Sequence, residues 1–297
     1  MIKNRSKTLN SEVLRAFQTS LLVKFVTTLL LLAAIFSGLL IGVVPLNPIS
    51  VFSEIINLLP LVTIESSLSE LESIILWQWR FPRVLLGFFV GASLAVSGAG
   101  FQGIFRNPLA DPFLLGAAAG AGLGATFLIV SNTNTLFENI NLVPLGAFIG
   151  ALSATVIATF VGRTAGNGPA ALLLAGVATA SFLTACQTYL MQRNLLSLQE
   201  IYGWLIGRIS TSGWSEVSLI APYSILCFIL LYINRKELDL LRLSEEEAIA
   251  LGGNPKRTRR VVIICCALLT ALAVSVSGAD SICWNNCSSY CQVDCRL

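Results

Sequence analysis

Long apolar runs alternate with short polar segments along most of this chain. Roughly twenty apolar residues are enough to cross a bilayer as a helix, and each run approaches or reaches that length. The predicted membrane spans cover residues 25–44, 84–103, 113–130, 142–161, 170–191, 216–233 and 261–276. Since a helix satisfies its own backbone hydrogen bonds inside lipid, the pattern predicts an all-α, polytopic membrane protein with about seven transmembrane helices.

The composition agrees with that class of protein. Hydrophobic residues make up 55% of the 297 positions and charged residues only 12%, whereas soluble domains carry about 25% charged residues. The first apolar run is too long for the core of a signal peptide, and no small-residue cleavage site follows it. We therefore predict that this run is the first membrane span.

The basic residues fall mainly in alternate connecting segments. Cytoplasmic loops of membrane proteins are enriched in lysine and arginine. With a cytoplasmic N-terminus, and with Arg296 in the tail left aside, the inner segments hold fourteen basic residues and the outer segments four. The outer four are Arg80, Arg83, Arg193 and Arg208. The charge distribution therefore predicts that the N-terminus lies inside the cell.

The predicted spans contain almost no ionisable side chains away from their ends, and the chain has no histidine. Ion-coupled carriers use intramembrane acidic, basic or histidine residues to move the coupling charge, and general acid–base catalysis needs such groups as well. An ion-coupled carrier is therefore a disfavoured alternative. We predict no catalytic residue, no metal site and no nucleic-acid partner.

Small residues recur at helical spacing in one part of the chain. Gly87 and Gly91 stand four residues apart, as do Gly116, Gly120 and Gly124. This spacing places glycines on one face of a helix, where two helix backbones can approach closely in lipid. We interpret these five glycines as helix-packing positions.

A polar turn separates the two groups of glycines. Its residues are Arg106, Asn107, Pro108, Leu109, Ala110, Asp111 and Pro112. Two prolines in so short a segment favour a break between helices over a helix interior. With the N-terminus inside, this turn lies on the cytoplasmic side.

Three motifs in a fixed order carry a family resemblance: RxPR at residues 80–83, SGxxxQGxFRNPLADP at 97–112 and LLG at 114–116. The set resembles the FecCD-type membrane permeases of bacterial ABC importers for iron-siderophore complexes, haem and vitamin B12. The resemblance implies a ten-helix permease fold, multi-pass in the bacterial inner (plasma) membrane. It implies as partners a second permease copy or paralogue, a cytoplasmic ABC ATPase dimer, a periplasmic substrate-binding protein and membrane lipid.

The segment ELDLLRLSEEEAIALGGNPKRTRR, residues 237–260, is far more charged than the predicted spans around it. Ser244 and Glu247 have the spacing of a capping box, and acidic residues in the first turn interact favourably with the helix dipole. Gly252 and Gly253 can end the helix before Pro255. The sequence predicts a short cytoplasmic helix of about two turns.

That helix could be an ordinary solvated connector. Its likeness to the family's segment between the sixth and seventh spans implies instead a coupling helix that docks in a cleft of the ATPase. The residues assigned to coupling are Leu243, Ser244, Glu245, Glu246, Glu247, Ala248, Leu251 and Gly252. The chain has no G-x-x-x-x-G-K-[ST] phosphate loop, so the partner ATPase would use the ATP and this chain would bind no cofactor.

Arg80 and Arg83 flank a Phe-Pro pair just before the second span, on the predicted outer face. Arginine side chains at such a position can extend into lipid headgroups. The family resemblance implies salt bridges to acidic residues of the periplasmic binding protein. A guanidinium suits that role because it pairs with a carboxylate through two hydrogen bonds.

The chain departs from the family after Gly278. Cys283, Cys287, Cys291 and Cys295 repeat there at a spacing of four, which is compatible with a metal-binding stripe or with periplasmic disulfides. The asparagines and serines between them disfavour a helix. We therefore favour neither interpretation.

A shift of reading frame accounts better for this tail. Permitted codons for ADSICWNNCSSYCQVDCRL, read one base later, encode LIQFVGIIVPHIVRLIVG, which resembles the family's continuation. A repeated TGT codon explains the spacing of the cysteines. We expect residues 1–278 to be an incomplete permease transmembrane domain and residues 279–297 to be an out-of-frame tail.

Taken with the resemblance, the sequence predicts the permease subunit of an ATP-driven importer. Its cargo would be an iron chelate (an iron-siderophore complex) passed from the periplasmic binding protein to the cytoplasm. A permease for vitamin B12 or haem is an alternative that the same motifs allow. A non-functional truncated product is another alternative, because the family's last spans would be missing.

Overall fold

A computed structural model describes residues 2–57, 68–107, 110–131, 142–166, 169–207, 209, 213–240 and 245–278, with backbone alone for 2–20 and 245. Over these residues the chain is helical and contains no strand, which confirms the predicted all-α class. Two compact units are present, one among the described residues up to Leu85 and one beginning at Leu86.

The helices follow one another along the chain with short connections. α1 spans Ile2–Leu40, α2 Pro48–Ile56, α3 Glu70–Ile74, α4 Phe81–Phe105, α5 Ala117–Val130, α6 Val143–Thr164 and α7 Pro169–Arg193. α8 spans Leu198–Ile206, α9 Trp214–Ile233, α10 Arg235–Leu240, α11 Glu245–Ala250 and α12 Pro255–Ser277. A π-helical turn, Ile75–Arg80, joins α3 to α4, and 3₁₀ turns cover Pro112–Leu115 and Leu195–Ser197.

Six helical stretches of the described chain are long and apolar enough to cross a membrane. They are Leu21–Leu40, Glu70–Phe105, Val143–Thr164, Ala170–Arg193, Trp214–Ile233 and Pro255–Ser277. These correspond to all the predicted spans but the third, at residues 113–130. There, α5 has only 14 residues and is about 21 Å long, against a hydrocarbon core of about 30 Å.

The short α5 follows from the backbone that precedes it. Asp111 caps the 3₁₀ turn by accepting a hydrogen bond from Phe113 N at 2.8 Å. Gly116 comes next with a φ of +77°, a conformation that glycine adopts without the steric cost of a side chain. The helix therefore restarts only at Ala117, and the predicted continuous span from residue 113 is wrong.

The first unit packs the end of α1 against α2 and the π-helical turn. Its buried core contains Leu39, Leu46, Val51 and Leu76. Pro82 follows the turn and has no N–H to donate to the carbonyl four residues earlier. Phe81 N donates to Leu76 O in the π-helical pattern, so the chain passes through the proline without ending the helix.

α12 is the central helix of the second unit. In its most apolar stretch 72% of the residues are buried, a larger share than in any other candidate span of the described chain. Asn254 caps its start by accepting a hydrogen bond from Arg257 N at 3.1 Å. Pro255 follows in the first turn, where a missing N–H leaves no bond unmade. Gly278, with a φ of +87°, ends the helix.

Hydroxyl groups join α4 to both α9 and α12 inside the second unit. The Ser93 and Ser224 hydroxyls lie 3.1 Å apart, and Thr270 donates to Ser97 Oγ at 3.0 Å. All four side chains are buried. A polar side chain in a lipid environment needs such internal partners, so these bonds favour one arrangement of the three helices.

α5 and α6 pack backbone against backbone at glycines. A Cβ on Gly124 would lie 3.3 Å from Gly150 Cα, and a Cβ on Gly146 would lie 2.9 Å from Gly124 O. A Cβ on Gly120 would meet Gly150 O and would lie 2.5 Å from Ala154 Cβ. The structure thus places Gly120 and Gly124 at a close helix contact, and their partners are glycines of α6.

The other predicted packing glycines have different surroundings. A Cβ on Gly116 would lie 3.4 Å from Ala180 N, so this glycine sits against α7. A Cβ on Gly87 or Gly91 would have no described atom within 4 Å. Their face of α4 therefore makes no close helix contact in the described chain, and their packing role stays a prediction.

Candidate functional site

The segment between α9 and α12 carries a short helix, α11, whose outer side is both acidic and apolar. Glu246 and Glu247 are exposed, and Ile249 and Leu251 are 61% and 65% exposed. This segment lies between two candidate spans and belongs to neither. Apolar side chains outside the spans, beside carboxylates, form a surface that a protein partner can cover. We call these four residues the α11 surface.

A glycine pair fixes the C-terminal end of α11. Gly253 N donates to Ala248 O and Gly252 N donates to Ile249 O, each at 2.9 Å, and Gly252 has a φ of +83°. This pair of bonds is a Schellman motif, in which a left-handed residue closes the last helical turn. The structure thus ends the helix at the glycines that the sequence indicates.

Three of the residues predicted to form the coupling helix cannot be placed on its surface. Leu243 and Ser244 lie outside the described residues, so the predicted cap is not observed, and Glu245 is described by its backbone alone. Ala248 is 1% exposed and faces inward.

Ile249 is the residue of this surface that the sequence analysis missed. The available signal was its position: an isoleucine on a helix too polar to insert in lipid, two residues after Glu247. Its 61% exposure places Ile249 on the outer side together with the acids.

The turn after α4 forms a compact break between helices. Arg106 is exposed, with a φ of +50°, and Asn107 O accepts a backbone hydrogen bond from the residue three positions on. Asp111 and Pro112 begin the 3₁₀ turn. Pro108 lies outside the described residues.

Arg80 lies inside the first unit, not on its surface as expected. Its side chain is 8% exposed. Its Nη1 donates to Leu39 O at 2.9 Å and to Leu40 O at 2.8 Å. Its Nη2 donates to Val44 O. Because the last carbonyls of a helix lack partners and carry partial negative charge, Arg80 caps the C-terminus of α1.

Arg83 has different surroundings, although it stands only three residues later. Its guanidinium carbon lies 5.4 Å from the centre of the Trp79 ring, a cation–π distance. Trp79 is 57% exposed. Arg83 Nε is buried without a hydrogen-bond partner among the described residues. Of the two arginines, Arg83 is the one that lies beside an exposed aromatic ring.

A comparison with known protein families decides the membership of this chain. The sequence model of the FecCD transport family matches residues 29–279. The chain belongs to the FecCD transport family. The matched residues include both arginines, the turn after α4 and all of α11, so each part of the candidate site lies in the family region.

Curated relatives in the FecCD family are similar over about two thirds of this chain. The "Probable iron chelatin transport system permease protein" of Helicobacter pylori (strain ATCC 700392 / 26695) is 38% identical over 210 residues, 69% of this chain and 61% of that protein. The "Cobalamin import system permease protein BtuC" of Halobacterium salinarum is 36% identical over 210 residues, 71% of this chain and 56% of that protein.

A solved structure supports the fold of the FecCD member. It is described as a metal-chelate type ABC transporter in an inward-facing conformation, and it matches with a TM-score of 0.69 and 28% identity. The match covers 86% of this chain and 75% of that chain. The helical arrangement is therefore that of a polytopic ABC permease.

Proposed function

We propose that this chain is the permease subunit of an ATP-driven importer that carries an iron-siderophore complex into the cytoplasm. It would act in the bacterial inner membrane with its N-terminus in the cytoplasm, and α5 would be a short third crossing. Its partners would be a second permease copy or paralogue, a cytoplasmic ABC ATPase dimer and a periplasmic binding protein. The ATPase would use the ATP, and this chain would hold no cofactor.

The α11 surface is the observation that carries this proposal. A permease without its own phosphate loop must receive mechanical work through a contact with the ATPase. In the predicted topology α11 lies on the cytoplasmic side, and its Schellman motif ends it at Gly253, two residues before α12 begins. Exposed Ile249 and Leu251 supply the apolar centre that a stable contact needs, and the two glutamates supply a charged rim.

The proposed cargo follows from the names of the proteins to which this chain is similar. One relative is named for iron chelatin and another for cobalamin, and the structural relative is named for a metal chelate. These names point to a metal chelate or a corrinoid. We propose the iron-siderophore complex as the substrate and treat vitamin B12 and haem as competing outcomes of the test.

Co-purification and uptake test the two parts of the proposal separately. A tagged chain in detergent should retain its cognate ABC ATPase, and the Ile249→Asp variant should lose it. Leu196→Asp is the control for inserting a charge, because Leu196 is also exposed and lies outside the candidate spans, between α7 and α8. Cells with the gene restored to one frame after Gly278, its ATPase and its binding protein should accumulate iron-siderophore and not cobalamin or haem. An untouched ATPase contact in Ile249→Asp would refute the assignment of α11, and cobalamin or haem uptake would refute the assignment of cargo.

A further inference from the structure

A side-chain hydrogen bond joins α10 to the first turn of α12. Thr258 Oγ1 donates to Glu237 Oε2. Thr258 is 1% exposed, so this hydroxyl is shielded from competing water. A hydrogen bond to an ionised carboxylate is stronger than one between neutral groups. The bond spans 21 positions of the sequence and closes the loop that contains α11.

Apolar contacts hold α10 in the same place. A Cβ on Gly103 would lie 3.4 Å from Leu238 Cδ2, so α10 touches the end of α4. A Cβ on Gly253 would lie 2.9 Å from Leu240 Cδ1, so α10 also touches the glycine pair that ends α11. α10 therefore contacts both the end of α4 and the glycine pair that ends α11.

The connection between α11 and α12 is too short and too well hydrogen-bonded for α11 to move independently of α12. Gly253 donates to α11 through its backbone N–H, Asn254 caps α12, and Pro255 is already helical. A displacement of α11 must therefore move the first turn of α12. Because α12 is the most buried candidate span of the described chain, moving it disturbs the packing of its neighbours.

We propose that Glu237 and Thr258 form the link that makes α10 and α12 move together when α11 is displaced. This inference rests on the proposed function, since it assumes that an ATPase engages α11. Without the bond, a displacement of α11 would move only the first turn of α12. With it, the same displacement also reaches α4 and α9 through α10. Glu237 and Thr258 are thus positioning residues, which act through the helices that they join.

The geometry also lets the link open without leaving a buried group unpaired. A hydroxyl donates one hydrogen at a time, and Asn254 O lies 3.0 Å from Thr258 Oγ1 as a second acceptor. When α10 moves away, Thr258 keeps a partner inside its own helix. The link can therefore break and form again in each transport cycle.

Paired variants at the two positions test this link. Thr258→Val and Glu237→Leu remove it, whereas Thr258→Ser and Glu237→Gln keep a donor and an acceptor. Thr155→Val is the matched control, because Thr155 is also buried but donates only to Ala151 O within its own helix. Each variant is placed in the frame-restored permease and reconstituted in vesicles with its ATPase and binding protein.

The informative readout is iron-siderophore taken up per ATP hydrolysed. Thr258→Val and Glu237→Leu should lower this ratio about tenfold, with ATPase binding and ATP hydrolysis retained. Thr258→Ser, Glu237→Gln and Thr155→Val should stay within about twofold of the parent. The double variant Glu237→Leu/Thr258→Val should be no worse than the poorer single variant, because one bond is lost once.

Several outcomes would overturn the link. A normal ratio in Glu237→Leu would do so even if Thr258→Val failed to fold, since Glu237 is only partly buried. A loss in Thr258→Ser as large as that in Thr258→Val would assign the effect to packing. Failure of the parent permease to bind its ATPase would instead contradict the proposed function, which separates the two claims.

Discussion

Arg80 and Arg83 show how two identical side chains three residues apart acquire separate roles. Arg80 is held by the carbonyls at the end of α1, and Arg83 lies against Trp79. The RxPR motif identifies the two arginines and, through the family resemblance, implies that both lie on the outer face. It does not predict the burial of Arg80, because the acceptor carbonyls lie 41 and 40 positions away in the sequence.

Substitutions of the two arginines should therefore have different effects. Arg80→Gln should lower the free energy of unfolding by about 2 kcal/mol, because a neutral amide cannot satisfy three carbonyls as a guanidinium does. Thermal unfolding in detergent measures this. Arg83→Gln should leave stability within about 0.5 kcal/mol. Equal destabilisation by the two variants would contradict the capping role of Arg80.

Binding-protein affinity gives the complementary prediction for Arg83. Arg83→Glu should weaken binding of the periplasmic protein, with a larger loss at low salt because ions screen exposed charge pairs. Titration of the binding protein against the reconstituted permease at two salt concentrations measures this. Unchanged affinity at both concentrations would contradict the docking role of Arg83 and favour its extension into lipid headgroups.

The α5–α6 pair shows at the element scale what a hydropathy pattern can and cannot predict. The apolar runs located the long helices, because their length is set by the bilayer. The late start of α5 was missed, because the left-handed backbone at Gly116 leaves no mark in hydropathy. The i, i+4 glycines indicated close packing, but only the structure pairs Gly120 and Gly124 with glycines of α6.

The glycine contacts predict a position-dependent response to alanine. Gly124→Ala should destabilise the protein by about 1–3 kcal/mol, since the new methyl group meets the α6 backbone. Gly91→Ala is the matched control: its Cβ has no described neighbour within 4 Å, and alanine favours a helix by about 1 kcal/mol over glycine. Thermal unfolding of both variants measures the difference, and a stable Gly124→Ala variant would exclude the close contact.

Charge reversal on α11 tests the coupling helix as an element. Replacement of Glu245, Glu246 and Glu247 by lysine should weaken ATPase binding and abolish uptake by the frame-restored permease, with membrane insertion intact. Glu200→Lys on α8 is the control, because it reverses one exposed charge away from α11. Co-purification and uptake both equal to the parent would show that α11 is only a solvated connector.

The reading-frame hypothesis belongs to the scale of the whole molecule. Residues 279–297 lie outside the described structure, and the family match ends at residue 279. Nucleotide sequencing across Gly278 should find TGT at the cysteine codons and an open frame one base later that encodes the FVG and PH motifs. A shifted frame that encodes neither motif would contradict the hypothesis.

At the same scale, the candidate site was predictable in kind but not in detail. The acids and glycines of α11 mark a short polar helix between spans, and the family resemblance suggests its role. Its details depend on how α10, α11 and α12 pack. These details are the burial of Ala248, the exposure of Ile249 and the hydrogen bond between Thr258 and Glu237. No local pattern encodes that packing.

ATP-driven uptake into sealed vesicles tests the central claim most directly. The frame-restored permease is reconstituted with its ATPase inside and its binding protein outside, and iron-siderophore accumulation is followed with and without internal ATP. The account predicts accumulation that requires ATP and the binding protein and that is lost in Ile249→Asp. Equal uptake without ATP, or undiminished uptake in Ile249→Asp, would contradict the assignment of this chain as an ATPase-coupled permease.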